Sequence, residues 1–151
     1  MDSIKRSAFF IEPATYPRPL EVVGLQVKVL ASGKNTGGYE IFLQDGVEGS
    51  GAPPHHHPWD ESFYVVSGDV NFGFDDEEHV ARAGTLVHLP AGTVHWFRIC
   101  KGGAQMISMT GREAASAMFE HIDREISPTA PDIKRLVAIS AEHQSLIHVP
   151  G

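Results

Sequence analysis

Cysteine is nearly absent from this sequence: Cys100 is the only one among 151 residues. A single cysteine excludes an internal disulfide and is typical of a protein that works in a reducing compartment. Because the nearby residues Phe97 and Ile99 are apolar, we interpret Cys100 as a packed or half-exposed thiol rather than a nucleophile or a metal ligand. We therefore expect a cytoplasmic protein.

Long apolar runs and an excess of basic residues are absent as well. The apolar run at residues 8–11 stops at Glu12 and Pro13, which makes it too short for a signal-peptide core or a membrane span. Lysine and arginine number 12 against 19 acidic residues, giving a formal net charge of -7 and a pI near 5.6. This balance argues against nucleic acid and against a membrane surface as partners.

What is present predicts one compact β-domain. A length of 151 residues suits a single domain with its own core, and no low-complexity tract or solenoid repeat interrupts it. After a proline-rich N-terminal arm at residues 1–23, segments of β-type alternation are separated by turns rich in glycine, proline and aspartate. We predict about eight or nine strands of an antiparallel sandwich or barrel at residues 24–110. The clearest lie at 25–30, 39–43, 62–66, 70–74, 86–89, 96–99 and 105–109. Residues 33–38 are predicted as a turn, and Gly68 is predicted in a hairpin between 62–66 and 70–74 because glycine can take a positive φ.

The C-terminal residues 111–151 change to a helical period. Thr110 and Glu113 have the spacing of a capping box, and apolar residues then recur at helical intervals up to Ile126. A second helix is predicted to start near Thr129, with Pro131 at a tolerated early position. We predict that the two short helices brace the outside of the β-domain or a partner, with a lid over a site as the alternative.

Three consecutive histidines, His55, His56 and His57, precede one of the predicted strands. In an extended segment alternate residues share a face, so His55 and His57 point one way and His56 the other. Glu61 begins the next strand, and His95 begins a later strand after a turn that contains glycine. If these strands are neighbours in a barrel, three imidazoles and one carboxylate converge on one point. Such nitrogen and oxygen donors suit a divalent first-row ion.

These residues fall within two spaced motifs. The first, G-x5-H-x-H-x3-E-x6-G, is met by Gly49, His55, His57, Glu61 and Gly68, and the second, G-x5-P-x-G-x2-H, by Gly84, Pro90, Gly92 and His95. Both motifs are those of the cupins, and the sequence resembles small single-domain cupins of the metal-dependent, quercetin dioxygenase-like type. The asparagine that ends the second cupin motif is replaced here by Ile99.

The resemblance implies an all-β fold, namely a double-stranded β-helix or jelly-roll barrel with a metal in its mouth. It places the ligand role on His55, His57, Glu61 and His95. The cofactor expected from this set is one divalent transition metal, with Fe, Mn or Ni as first choices and Zn, Co and Cu also compatible.

Four apolar residues share the inward parity of the proposed ligands, namely Phe63, Val65, Phe97 and Ile99. We predict that they line a pocket for a small aromatic or otherwise hydrophobic substrate that carries a metal-binding oxygen. No arginine or lysine is forced into this wall, which disfavours phosphorylated substrates.

Three functions are compatible with this sequence. The first is a metal-dependent dioxygenase, in which Glu61 is a ligand and also the acceptor of the substrate proton. The second is a non-redox lyase, similar to the hydroxynitrile lyases among the cupins, or an isomerase. The third is a module that binds a small ligand without turnover. We rank the oxygenase first, and we expect a homodimer because cupins commonly cover their sheet edges across a two-fold axis.

Overall fold

The computed structural model describes residues 6–149, and this part of the chain contains eleven strands and three α-helices. The strands are β1 (Leu20–Val22), β2 (Leu25–Ala31), β3 (Glu40–Gly46), β4 (Gly51–His56), β5 (Glu61–Ser67), β6 (Asp69–Phe74), β7 (Glu77–Arg82), β8 (Leu86–Leu89), β9 (His95–Ile99), β10 (Ala104–Thr110) and β11 (Leu146–Ile147). The helices are α1 (Gly33–Thr36), α2 (Ala115–Glu125) and α3 (Ile133–Glu142), and a short 3-10 turn lies at Pro13–Thr15.

The strands form two antiparallel sheets with the core between them. The six-stranded sheet has the order β1-β2-β3-β10-β5-β8, and the five-stranded sheet has the order β11-β4-β9-β6-β7. From β3 to β6 and again from β7 to β11, each strand lies in the other sheet from the strand before it, which is how a jelly roll closes around its interior. The predicted all-β class with two short C-terminal helices is confirmed.

The core consists of alternate residues of the strands, because successive side chains point to opposite faces of a sheet. On β5, Phe63 is buried whereas Tyr64 and Val66 are exposed. Phe72 and Phe97 of the opposite sheet approach Phe63, with ring centroids 5.2 and 5.5 Å from its own. Burial of each ring stabilises the fold by about 1.5–3 kcal/mol, so these contacts hold the two sheets together.

The end of the N-terminal arm belongs to the sheet. Leu20–Val22, predicted as part of the N-terminal arm, forms the edge strand β1 and pairs with β2. Arg18 is joined to α2 by Asp123, with 2.6 Å between Nη2 and Oδ2, and the backbone N–H of Glu21 donates to the same carboxylate at 2.8 Å. A strand of three residues is too short to be recognised from alternation alone.

Helix α2 begins at Ala115, later than the capping box predicted at Thr110 and Glu113, and it is capped differently. Its N-cap residue is Ala114, which has no side-chain hydrogen bond to the helix, so the capping box predicted from Thr110 and Glu113 does not form. A carboxylate from β3 takes that place, since Glu40 accepts hydrogen bonds from the backbone N–H groups of Ala114 and Ser116. A distant residue therefore supplies the cap.

Helix α3 begins later than predicted. Its N-cap is Asp132, whose side chain accepts a hydrogen bond from the backbone N–H of Arg135, and the helix starts at Ile133 rather than near Thr129. Aspartate is a strong N-cap residue, and here its effect outweighs the signal from Pro131. None of the helices in the described residues is long and apolar enough to cross a membrane.

One of two predicted turns is found in the structure, and the other contains a short helix. Gly68 lies in the predicted hairpin between β5 and β6 with a φ of 76°, and a Cβ there would lie 2.2 Å from the carbonyl oxygen of Gly103. Only glycine fits that position. Residues 33–38, predicted as a turn, contain the short helix α1, which ends at Gly37 in the left-handed region.

Candidate metal centre

Four side chains predicted as metal ligands meet between the two sheets. His55 lies near the end of β4, opposite His95 at the start of β9 in the five-stranded sheet. Glu61 is the first residue of β5 in the six-stranded sheet, and His57 lies in the connection between β4 and β5. One potential ligand atom from each residue lies within 4.8 Å of those of the other three. The fold thus brings all four residues together.

His56 faces away from this cluster, as strand parity predicts. Its Nδ1 atom lies 2.7 Å from Nε2 of His148, and its backbone is paired with Leu146 of β11. This histidine pair helps to hold the C-terminal strand against β4.

Each histidine of the cluster is oriented by a backbone carbonyl two residues away. The Nδ1 atoms of His55, His57 and His95 lie 2.7, 3.0 and 2.8 Å from the carbonyl oxygens of Pro53, Trp59 and Thr93, respectively. A carbonyl oxygen only accepts, so each Nδ1 carries the proton and each Nε2 keeps its lone pair. Bonds of this kind fix the tautomer and the ring orientation of metal-binding histidines.

The residues of the cluster fit a cation. The Nε2 atoms of His57 and His95 lie 3.2 and 3.4 Å from Oε1 of Glu61, so lone pairs face lone pairs unless a positive charge lies among them. Nε2 of His95 is buried and has no hydrogen-bond partner among the described residues, which is costly. A divalent ion would accept lone pairs from all four residues, and this cluster could therefore hold one.

The surroundings favour the unprotonated, metal-binding form of two of these residues. Burial, followed by the neighbouring His95, lowers the pKa of His55 to about 4. Burial by itself would raise the pKa of Glu61, but hydrogen bonds and charge interactions from His57 and His95, in states where their Nε2 atoms carry a proton, outweigh it and lower this pKa to about 2. Because metal ligands must be deprotonated, protons compete weakly for His55 and Glu61 at neutral pH.

Two residues that were not predicted as part of the site hold the β4–β5 connection in place. Trp59 stacks on His57 with ring centroids 4.2 Å apart and an angle of 6° between the planes. The Asp60 carboxylate accepts a hydrogen bond from the backbone N–H of Ala91 at 2.8 Å, and Gly92 N–H donates to the carbonyl of His57 at 2.9 Å. These bonds join the connection to the turn before β9. Their only sequence signal is their position between the two ligands His57 and Glu61.

A cavity of about 130 Å³ lies beside the cluster, with His55, His57 and Glu61 in its wall. Helices α2 and α3 form another part of that wall through the apolar side chains of Met118, Phe119, Ile122 and Leu136. Ile147 of β11 lines the cavity as well, and its backbone is paired with His55. The C-terminal elements therefore cover the cavity as well as packing on the barrel.

The predicted pocket residues divide into two pairs. Phe63 and Phe97 line the cavity, whereas Val65 and Ile99 are 0% and 2% exposed and belong to the barrel core. Val65 and Ile99 thus lie outside the wall of this cavity. All four face inward, but Val65 and Ile99 lie two residues further along their strands, where side chains of the opposite sheet fill the space. Parity gives the direction of a side chain and not its depth.

Residues 43–109 match the family model described as a cupin domain. The matched segment contains the whole His55, His57, Glu61 and His95 cluster. The chain carries a cupin domain. The N-terminal arm, β1, β2 and the C-terminal helices lie outside the matched segment of this cupin domain.

The cupin domain also resembles individual proteins. A quercetin 2,3-dioxygenase from Bacillus subtilis (strain 168) is 32% identical over 96 residues, which are 62% of this chain and 28% of that protein. The chain thus matches less than a third of that relative's length. Among solved structures, KdgF from Halomonas sp. has a TM-score of 0.66 at 19% identity, covering 74% of this chain and 99% of that one. An RmlC-like cupin from Shewanella frigidimarina NCIMB 400 has a TM-score of 0.65 at 18% identity, covering 76% and 99%. These two likenesses concern the fold.

Proposed function

We propose that this cupin domain is a metal-dependent dioxygenase that acts on a small aromatic or enolisable substrate. The observation that carries the proposal is the convergence of three imidazoles and one buried carboxylate at the wall of a largely apolar cavity. The similarity to a quercetin 2,3-dioxygenase, 32% over 96 residues, supports the oxygenase class. Fe, Mn or Ni are the cations we expect first, and Zn, Co and Cu also suit these donors.

The size of the cavity restricts the substrate. Its volume of about 130 Å³ is close to that of an apolar cavity of about 150 Å³ that holds benzene in another protein. A single-ring phenol or a short enolisable carbonyl compound therefore fits better than a flavonol with several rings. The apolar wall would bind the body of such a molecule, and one oxygen would face the cluster.

A divalent ion held by His55, His57, Glu61 and His95 would supply Lewis-acid polarisation of a substrate oxygen and, if redox-active, electron exchange with dioxygen. The protein contributes orientation and the exclusion of water, because backbone carbonyls fix the imidazoles and α2 and α3 cover the cavity. Glu61 is ionised at neutral pH, since its pKa is lowered to about 2. An ionised carboxylate in this cluster serves first as a ligand, and it would accept a substrate proton only when it is free of other partners.

The test is an activity screen over phenols and small β-diketones, with metal-free protein reloaded with Fe, Mn, Ni or Zn. We expect turnover with at least one of the redox-active ions, and we expect that turnover to stop when dioxygen is removed. Turnover that persists under nitrogen and with Zn(II) would overturn the oxygenase proposal in favour of a lyase or an isomerase. A stable complex with an unchanged compound under every condition would instead indicate a binding module.

Variants of Glu61 separate its role as a ligand from a role in the chemistry. Elemental analysis and activity are measured together for Glu61→Ala and Glu61→Gln, with Glu48→Gln, an exposed acid away from the cluster, as the control. If Glu61 accepts the substrate proton, metal content is kept while turnover falls on the order of 100-fold or more. Joint loss of metal and turnover would show that Glu61 acts as a ligand.

A further inference from the structure

The side chain of Gln44 lies in the cavity wall among apolar residues. Gln44 is on β3 and is 3% exposed, and its neighbours in the wall include Leu25, Phe63 and Phe97. A buried amide in an apolar wall costs free energy unless its donors and acceptors find partners. A glutamine at this position therefore calls for a reason other than packing.

The hydrogen bonding of Gln44 within the described residues is incomplete. Nε2 donates to Oγ of the buried Ser108 at 2.7 Å, and this is the one hydrogen bond of the Gln44 side chain within that part of the chain. The bond holds the amide in one orientation. It leaves the carbonyl oxygen Oε1 and a second N–H of the amide for another partner. The cavity is where a bound molecule could meet them.

The placement of Gln44 relative to the cluster suggests what that molecule carries. Glu61 is on β5 and Gln44 is on β3, with β10 between these two strands of the six-stranded sheet. Both residues line the same cavity. A small molecule with one oxygen at the cluster could therefore direct a second polar group towards Gln44.

We infer that Gln44 determines substrate specificity by forming a hydrogen bond with a second hydroxyl or carbonyl group of the substrate. This inference rests on the function proposed above. It narrows the substrate class to small rings or enols that carry two separate oxygen substituents. A site built to form a hydrogen bond with a substrate hydroxyl discriminates strongly against analogues that lack it, because its own buried polar group is then left unpaired.

The test measures the binding of small probes to Co(II)-loaded protein under nitrogen. The change in the visible absorption of Co(II) reports the binding. The probes are phenol, resorcinol and hydroquinone, which differ in the presence and position of the second hydroxyl. We expect the wild-type protein to bind at least one dihydroxybenzene on the order of tenfold more tightly than phenol. In Gln44→Met and Gln44→Leu this preference should vanish while the affinity for phenol is kept.

The control is Gln26→Met, which changes an exposed glutamine on the neighbouring strand β2 and should keep the preference. Met has the length and flexibility to fill the space of Gln44, and thermal unfolding verifies that each variant is folded. A preference that survives in both Gln44 variants, or that is missing in the wild-type protein, would overturn the inference. If the wild-type protein does not bind Co(II), or no probe alters its spectrum, the proposed function fails and the inference fails with it.

Discussion

At the scale of single residues, Glu40 of β3 caps the N-terminus of helix α2, although it lies far from that helix in the sequence. It is fully buried, and its carboxylate accepts hydrogen bonds from the backbone N–H groups of Gly33, Ala114 and Ser116 and from the Ser116 hydroxyl. These bonds satisfy N–H groups at the start of α2 that would otherwise lack partners. They also join α1, β3 and α2 to one another.

We predict that Glu40→Gln lowers the free energy of unfolding by about 1–3 kcal/mol, because an amide group leaves buried donors without an acceptor. Glu113→Gln is the matched control, since Glu113 is exposed and makes no cap, and its effect should stay within about 0.5 kcal/mol. Urea unfolding of the three proteins measures both values. Equal stability of Glu40→Gln and the wild type would contradict the capping role.

The Nε2 atom of His95, which has no hydrogen-bond partner within residues 6–149, leads to a prediction about metal. Addition of a divalent metal to the metal-free protein should raise the free energy of unfolding, by about 2.7 kcal/mol when free metal is at 100 times its Kd. His95→Ala should lose most of this stabilisation because a ligand is missing.

His88→Ala provides the control for that experiment, because His88 is exposed and bonded to Ser62 outside the cluster. Thermal unfolding with and without a chelator measures the metal effect in each protein. If the metal stabilises His95→Ala as much as it stabilises His88→Ala, the metal binds outside the cluster.

At the scale of secondary-structure elements, Asp123 joins the N-terminal arm and β1 to helix α2. Its carboxylate accepts hydrogen bonds from the Arg18 guanidinium and from the backbone N–H of Glu21. Helix α2 forms part of the cavity wall, so this carboxylate connects the arm to the element that covers the cavity. The hydrogen bond from Arg18 holds the pKa of Asp123 below its ordinary value.

We predict that Asp123→Asn destabilises the protein at pH 7 and that the difference from the wild type disappears in acid. Because the pKa of Asp123 is lower in the folded state than its ordinary value of 3.8, the ionised carboxylate contributes stability at pH values above 3.8. This contribution is lost as the pH falls through the folded-state pKa. Urea unfolding at pH 7, 4 and 3 tests the trend, with Glu120→Gln on the exposed face of α2 as the control. A difference that does not change with pH would contradict the role of the ionised carboxylate.

At the scale of the whole molecule, the outer face of the six-stranded sheet carries exposed apolar side chains. Tyr64 of β5 is 43% exposed and Leu86 of β8 is 59% exposed, and the two residues are direct cross-strand partners. Val66 and Met109 add to the same face. Exposed apolar patches of this kind mark interaction surfaces, and we propose that a second copy of the chain covers this one, in a homodimer.

Leu86→Glu should therefore convert the proposed dimer to monomers, because it would place a charge in the proposed apolar interface. Val80→Glu is the matched control, since Val80 is similarly exposed at 57% but lies on β7 of the other sheet. Sedimentation measurements over a range of protein concentrations give the association state. A monomeric wild-type protein, or a Leu86→Glu dimer as stable as that of the control, would contradict this assignment.

Much of the site could be predicted because its signal is local. His55, His57 and Glu61 lie within seven consecutive residues, and strand parity alone places His55 and His57 on one face. Phe63 and Phe97 follow from the same parity. Parity does not predict that Val65 and Ile99 lie in the barrel core and not at the cavity, because the depth of a side chain depends on which side chains of the opposite sheet pack against it.

The sequence by itself determined the β-strand periodicity, the histidine-rich ligand motif and the two C-terminal helices, since each is specified by residues close together in the chain. Only the tertiary structure decided that Glu40 caps α2, that Trp59 stacks on His57, and that α2, α3 and Gln44 form the cavity wall. These arrangements join residues of different elements, and which elements meet is set by packing of the whole barrel. A short window of sequence carries no record of that packing.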